Sequence, residues 1–354
     1  MKRLPILVLA LPALALAAGD PPLYMTVLRE PAPPSPLLVS EGGPYDPPIH
    51  MTVLSGRGGD RPVRRSPSTG WRFDYAAGLG YRRDRLEWNV GLADGPDVLT
   101  EAKWRDLDTF QISGEAHVVT PARITFQAQA AYGWVLGGNH RRSDYLEDGR
   151  RGEFSRTTAD ADGGHFLDLS GGVGYRFQPR EGKVRPYIEP LAGYTYREYT
   201  LDADNFRQAV ATDGLTPPEG PLGSAKYRYR GKWHGPWAGL RLGIEGERWQ
   251  VFGQGAYHFL WYRAEGRWKS LADAQRDVRF RHEADGRGIT AEVGGSYQIW
   301  RALSLRLAVN FHHWQTDGHG DDITTSGGGG KIKSRLNEVR WRTLGGTLNL
   351  SYDF

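Results

Sequence analysis

The sequence predicts an all-β protein, a ten-stranded antiparallel transmembrane β-barrel with long extracellular loops. Three observations predict it. Beyond about residue 70 apolar and polar residues alternate with period two, and the connections between the alternating stretches are short and long by turns. After residue 18 no apolar run reaches the ~20 residues a spanning helix needs, so a membrane could be crossed only by strands.

The elements follow in order. Met1, Lys2 and Arg3 precede an apolar run, Leu4 to Ala18, that ends in small residues; at 15 residues it suits a cleaved secretory signal with the cut near Ala18. From Gly19 to about Gly70 lie 11 of the 22 prolines, a composition that favours an extended linker on the periplasmic side. Within it the word Tyr24-Met25-Thr26-Val27-Leu28 returns as His50-Met51-Thr52-Val53-Leu54. The pair is either an inert duplicated spacer or a β-prone arm for a sheet edge or partner.

The barrel is assigned to residues 71–354. In the last strand Leu344, Leu348, Leu350, Tyr352 and Phe354 share one face, and Thr343, Thr347, Asn349, Ser351 and Asp353 the other. The rule repeats for Leu303 to His312, Ile289 to Ile299 and Trp249 to Trp261. Tight connections fall near Thr120-Pro121, Gln178 to Lys183, Glu245 to Arg248 and Trp300-Arg301. Long ones fall at Gly91 to Trp104, Val135 to His165, Arg197 to Trp233, Tyr262 to Arg287 and Gln315 to Trp341. Nine connections make ten strands, with both barrel ends on the tight-turn, periplasmic side of a bacterial outer membrane. The 12 Trp and 17 Tyr can supply interfacial girdles.

Ten strands enclose little more than the eight-strand case, whose side chains fill the interior. The inward set, Arg72, Asp74, Glu115, His117, Asp168, Arg176, Glu189, Arg241, Glu292 and Arg306, carries both signs. A salt-bridged, plugged lumen is expected, with function on the outer rim. A small channel is the contrary reading.

Composition removes other classes. A net charge of +4 from 45 Lys+Arg and 41 Asp+Glu is no nucleic-acid-binding tail, and zero Cys excludes disulfides, thiolate metal sites and Cys nucleophiles. Of the cations 37 are Arg, whose planar fork grips carboxylate and phosphate. The acidic stretch Asp317 to Asp322 lacks the full ligand set of a calcium loop, so no metal is assigned.

Ten strands, five large outer connections and three motifs resemble the omptin family of outer-membrane proteases. The motifs are Gly193-Tyr194, Lys232-Trp233-His234-Gly235-Pro236-Trp237-Ala238-Gly239-Leu240 and the final strand. The chain is more similar still to an uncharacterised omptin-like group that shares Ser143 to Arg150, His282-Glu283-Ala284-Asp285-Gly286 and Asn337-Glu338-Val339. The resemblance implies peptide cleavage by a water held between an acidic pair and an Asp-x-His pair on opposite rims. Here the acidic pair reads Asp144-Tyr145-Leu146, with Glu147 and Asp148 following. The Asp-x-His position reads Tyr262 to Trp268 without a histidine.

The candidate acid/base cluster is therefore Asp144, Glu147, Asp148, His282 and Asp285, with Glu283 beside them. The same residues are accounted for by Asx turns and by forks to Arg142, Arg150, Arg281 and Arg287. The one literal Asp-x-His, Asp317-Gly318-His319, is a short pattern in the fifth connection. The resemblance also implies a lipopolysaccharide site on the outer wall, where Tyr194 matches, Tyr196 and Glu198 depart, and Lys232 replaces Arg. Tyr194, Arg230 and Lys232 are the candidate contacts, within a basic aromatic ladder from Tyr227 to Lys232.

The expected protein is a monomeric barrel acting in surface binding or envelope structure. The alternative is a surface endopeptidase with relocated acid and His groups. Expected partners are outer-membrane lipid and lipopolysaccharide, the barrel assembly machinery and an extracellular peptide or protein ligand. No cofactor beyond lipopolysaccharide, and no nucleic acid, is expected.

Overall fold

The computed structural model describes residues 70–179, 182–269, 278–318, 320–325 and 331–353. The apolar leader, the proline-rich segment with its two repeated words, His319 and Phe354 lie outside the described residues.

Alternation builds strands, and the strands close on themselves. They are β1 (Arg72–Gly91), β2 (Thr100–Val119), β3 (Ile124–Glu147), β4 (Arg151–Tyr175), β5 (Arg185–Val210) and β6 (Gly220–Pro221). There follow β7 (Lys226–Glu245), β8 (Trp249–Lys269), β9 (Val278–Trp300), β10 (Leu303–Thr316), β11 (Gly320–Thr325) and β12 (Lys331–Asp353). Each pairs antiparallel with its neighbour, and β1 pairs with β12 over nearly its full length to shut the ring. The two-residue β6 only borders β5, and β11 continues β10 in the slot between β9 and β12. The wall is thus a ring of ten antiparallel strands.

The segments read as long connections are mostly strand. The walls run 20 residues in β1 and 26 in β5. At ~3.3 Å per residue and a tilt of ~40° they stand about 50 Å or more, roughly twice the ~25 Å apolar band of such barrels. The lower half carries that band on its outer face, where Leu79, Ile188, Leu242, Val293, Leu307 and Leu348 are exposed. In the upper half the faces exchange character. The outside becomes ion pairs, such as Arg83–Asp108 at 2.9 Å and Arg228–Asp202 at 2.6 Å. The inside becomes apolar, with Leu86, Trp88, Trp104, Phe206, Tyr227, Tyr229, Trp233, Trp314 and Trp341 in one buried cluster. Register shifts help to hide these strands from a period-two count, for example where Asp84 gives way to Leu86 and where Arg105 gives way to Asp108.

Within the membrane the lumen is filled as its charges require. Arg306 is held by Asp74 and, at 2.9 Å, by Glu115. Near the periplasmic end Glu245 is fully buried and takes Arg72 at 2.8 Å and Arg176 at 2.7 Å, while Arg176 also grips Glu189. Higher up, Asp168 accepts from Arg82 at 2.6 Å and from Arg197 at 2.5 Å, and the Arg197 guanidinium lies 4.4 Å from the Trp314 ring centre. Between these knots lies a polar cavity of about 130 Å³, lined by Glu115, Asp168, Arg197, His258, Glu292 and His312 among others. It has room for a few waters.

A buried ion knot loses most when one partner is removed, because the others are left charged and unpaired. Glu245→Ala should therefore destabilise the barrel by about 3–5 kcal/mol, measured as the urea midpoint of the refolded chain in micelles. A loss under about 1 kcal/mol would mean that water already serves these groups.

Candidate functional site

Above the membrane the inward faces of β1, β5, β7, β8, β9 and β11 converge on one buried polar thread through the aromatic cluster. The His282 Nδ1 lies 2.9 Å from the Tyr229 hydroxyl, which lies 2.5 Å from that of Tyr262, itself 3.0 Å from that of Tyr199. On its other side His282 Nε2 is 3.3 Å from Asp322 Oδ1, in contact but without hydrogen-bond geometry, and Ser334 donates to the same carboxylate. Trp88 meets the imidazole edge-on at 4.9 Å and Phe280 tilts over it at 4.9 Å. The packing depends on small neighbours: a Cβ on Gly231 would sit 2.2 Å from the Tyr199 hydroxyl.

A nearby histidine is buried more austerely. His140 packs against Trp104 at 4.5 Å and Tyr227 at 5.2 Å, and neither ring nitrogen has a hydrogen-bond partner. Burial, with Arg142 adding repulsion, lowers its pKa to about 3. Burial also lowers that of His282, and Asp322 offsets only part of the effect. Burial raises the Tyr229 and Tyr262 hydroxyls far above the ordinary tyrosine range. The thread is thus neutral at its histidine and tyrosines, closed to solvent and structural in form.

The residues expected to form an acid/base cluster are distributed differently. Asp144 faces inward on β3 and accepts from Thr100 at 2.7 Å and Arg142 at 3.0 Å. Glu147 and Asp148 lie exposed at the β3–β4 tip, where Glu147 stands 3.9 Å from Arg151. Asp148 accepts the Asp97 N–H at 2.9 Å, pinning that tip to the β1–β2 connection. His282 is fully buried, whereas Asp285 and Glu283, at odd spacing from it on β9, are exposed on the outer face. Glu283 is paired with Arg263 at 2.5 Å. The strand pleat therefore separates His282 from Asp285, and the acid that meets His282 is Asp322 from β11.

Asp322 was missed as a partner because a Gly-rich stretch reads as loop. The available signal was parity: Phe280, His282, Ala284 and Gly286 alternate with Arg279, Arg281, Glu283 and Asp285. An open hollow of about 510 Å³ at the rim carries Arg150, Arg287, Arg335, Asp97, Asp317 and Glu338, and no described histidine lines it.

On the outer wall Tyr194, Arg230 and Lys232 share the face of the β5–β7 seam. Tyr194 is exposed with its hydroxyl 2.7 Å from His234 Nδ1, Lys232 lies 3.3 Å from Glu198, and Arg230 is exposed. They occupy successive levels, with Tyr194 opposite Pro236 and Glu198 opposite Lys232.

The family described as Pom, Protochlamydia outer membrane protein, matches residues 76–354. Among solved structures the chain is similar to the outer membrane protease OmpT from Escherichia coli, with a TM-score of 0.67 at 15% identity over 80% of this chain and 97% of that one. It is also similar, at 12% identity, to the outer membrane protein OprG from Pseudomonas aeruginosa, over 80% of this chain and 96% of that one with a TM-score of 0.34. No curated protein matches. At such identity the likeness to OmpT shows the fold alone.

A histidine whose folded pKa is depressed contributes stability that is present above its unfolded value, near 6.5, and is lost as pH falls below it. Below that value the barrel's upper half should weaken by up to about 1.4 kcal/mol per pH unit per buried histidine. Urea titrations at pH 7.5 and pH 5, followed by near-ultraviolet dichroism, measure this. His140→Phe, which keeps a ring among rings, should flatten the dependence. Equal stability of the unsubstituted chain at both pH values would contradict the account.

Proposed function

Since the chain belongs to the Pom family of outer-membrane proteins and has the β-barrel fold of OmpT, we propose that it serves as a surface-exposed binding and envelope-structural barrel that does not cleave peptides. The observation that carries this reading is the position of His282. The imidazole that would have to take a proton from a nucleophilic water is closed within rings, with an exposure of 0%. Asp285 lies across the sheet from it, and Glu147 and Asp148 stand at a solvent-exposed tip.

The rest of the reading concerns surroundings. Tyr194, Arg230 and Lys232 serve as contacts to lipopolysaccharide or other anionic headgroups at the upper edge of the apolar band. In support, Tyr194 is half exposed there and two cations rise above it. The chain is exported by a signal sequence cut near Ala18, inserted by the barrel assembly machinery, and works as a monomer. The ion-paired lumen supports a closed barrel over a diffusion pore.

Two measurements test this. The refolded protein, supplied with lipopolysaccharide, should leave a diverse peptide pool uncut as read by mass spectrometry. Cutting that vanishes in both His282→Ala and Asp144→Asn would establish the endopeptidase alternative instead. In planar bilayers the chain should give no steady conductance, and regular stepwise openings would show that the lumen network yields to ions.

A further inference from the structure

At the tight-turn, periplasmic end of the wall, two neighbouring turns bring arginines and aromatic rings together. Arg248 ends the β7–β8 turn beside Trp249, the first residue of β8, and Arg301 follows Trp300, the last residue of β9. One residue, Gln298, ties the turns to each other. Its backbone N–H donates to the Arg248 carbonyl at 2.7 Å, and its side-chain amide donates to the Arg301 carbonyl. Trp249 stands opposite Tyr297, and the Arg301 guanidinium lies 5.0 Å from the Trp300 ring centre. The Trp249 indole folds back over its own turn, where a Cβ on Gly246 would come within 2.5 Å of it. All three rings and both arginines are exposed.

The fold itself gives these cations little to do. Among the described residues neither Arg248 nor Arg301 makes an ion pair, and the acid of the same turn, Glu247, is exposed. Arg301 also holds φ 43°, in the left-handed region where Gly or Asn costs less than a long side chain. A cation kept where its backbone disfavours it, with no acid paired to it, points to a partner outside the chain. Depth decides which partner. Trp249 and Trp300 close the apolar band at this end, with Val251 and Ile299 exposed behind them. Each arginine lies one residue beyond its tryptophan, about 3.3 Å of strand. The headgroup layer of one leaflet is about 5–7 Å deep, and tryptophan favours that layer. The two guanidinium groups therefore stand at the depth of lipid phosphates.

Chemistry narrows the class further. Arginine grips a phosphate with two parallel N–H bonds, and cations at a bilayer surface attract acidic lipids. A soluble anion would gain only the two arginines, whereas a lipid gains the arginines and, below them, the aromatic wall of Trp249, Tyr297 and Trp300. A headgroup with its own ammonium carries no net charge and gains less from the pair. We propose that the Arg248–Arg301 edge of β8 and β9 holds the phosphate of an anionic phospholipid in the leaflet on the tight-turn side. This site lies at the opposite end of the wall from Tyr194, Arg230 and Lys232 and faces the other leaflet. It requires only that the barrel spans a bilayer, and so it stands apart from the surface-binding reading.

The test places the refolded full chain in nanodiscs of phosphatidylglycerol and phosphatidylcholine in equal amounts and counts the lipids it retains by native mass spectrometry. Phosphatidylglycerol should be retained in preference, and added salt should weaken the preference. Arg248→Gln with Arg301→Gln should lower it by at least about fivefold. Arg207→Gln with Lys226→Gln removes two exposed cations near the upper strand ends and should leave it within about twofold. Arg301→Asn suits the left-handed backbone and separates binding from folding. Its urea midpoint in neutral micelles should hold or rise while the lipid preference falls. Inorganic phosphate and a soluble peptide with free carboxylates should not displace the lipid. The proposal is overturned by an unsubstituted chain without preference, by equal losses in the two double variants, or by displacement with phosphate or the acidic peptide. It is equally overturned if Arg301→Asn lowers the midpoint and leaves the preference intact.

Discussion

The whole molecule depends on one constraint: a pleated wall sends every second side chain into a cylinder too narrow to be filled by water. Each inward residue must then find its partner inside. In the membrane the outward face must be apolar, so the inward positions carry the polar residues. Their cost is met by pairing, as in Arg176 between Glu189 and Glu245 and Arg197 against Asp168. Above the membrane the outward face meets water, and the interior is free to be apolar. Trp233, Trp314 and Trp341 accordingly close the lumen just over the ion knots. A single wall thus has two cores of opposite chemistry, and the boundary between them marks the bilayer surface.

That exchange explains why the upper half was harder to read than the lower. Leu303 to Phe311 and Leu344 to Tyr352 show a single polarity rule and were legible as strand, although β10 runs on to Thr316 and β12 begins as far back as Lys331. The same rule applied to Arg228, Tyr229, Arg230, Gly231 and Lys232 puts aromatic residues where the lower half puts charges, and the segment passes for a connection. Register shifts compound it, since past Arg105 the inward parity changes and Leu107 takes the place of an even-numbered residue. The strand count and the charged lumen needed no knowledge of the upper half. The pairing of His282 with Asp322 did, because it joins strands whose sequence looks like loop.

The upper core also shapes what the rim can do. A hydrolytic site needs an imidazole that reaches both its orienting acid and a water, in a cleft open to substrate. Here His282 reaches an acid and a tyrosine and is enclosed by Trp88 and Phe280. Opening it would mean parting an aromatic core rather than moving a loop. His140, with no polar partner at all, shows how fully this region has been given to packing.

With the interior committed to holding the cylinder together, chemistry that varies with a ligand has to lie on the outer face or the rim. On that face cations and acids meet in pairs across neighbouring strands, as in Arg83 with Asp108, Arg228 with Asp202 and Arg263 with Glu283. Such pairs are exposed and screened, so they contribute little to the fold and can be exchanged for contacts to a ligand at small cost.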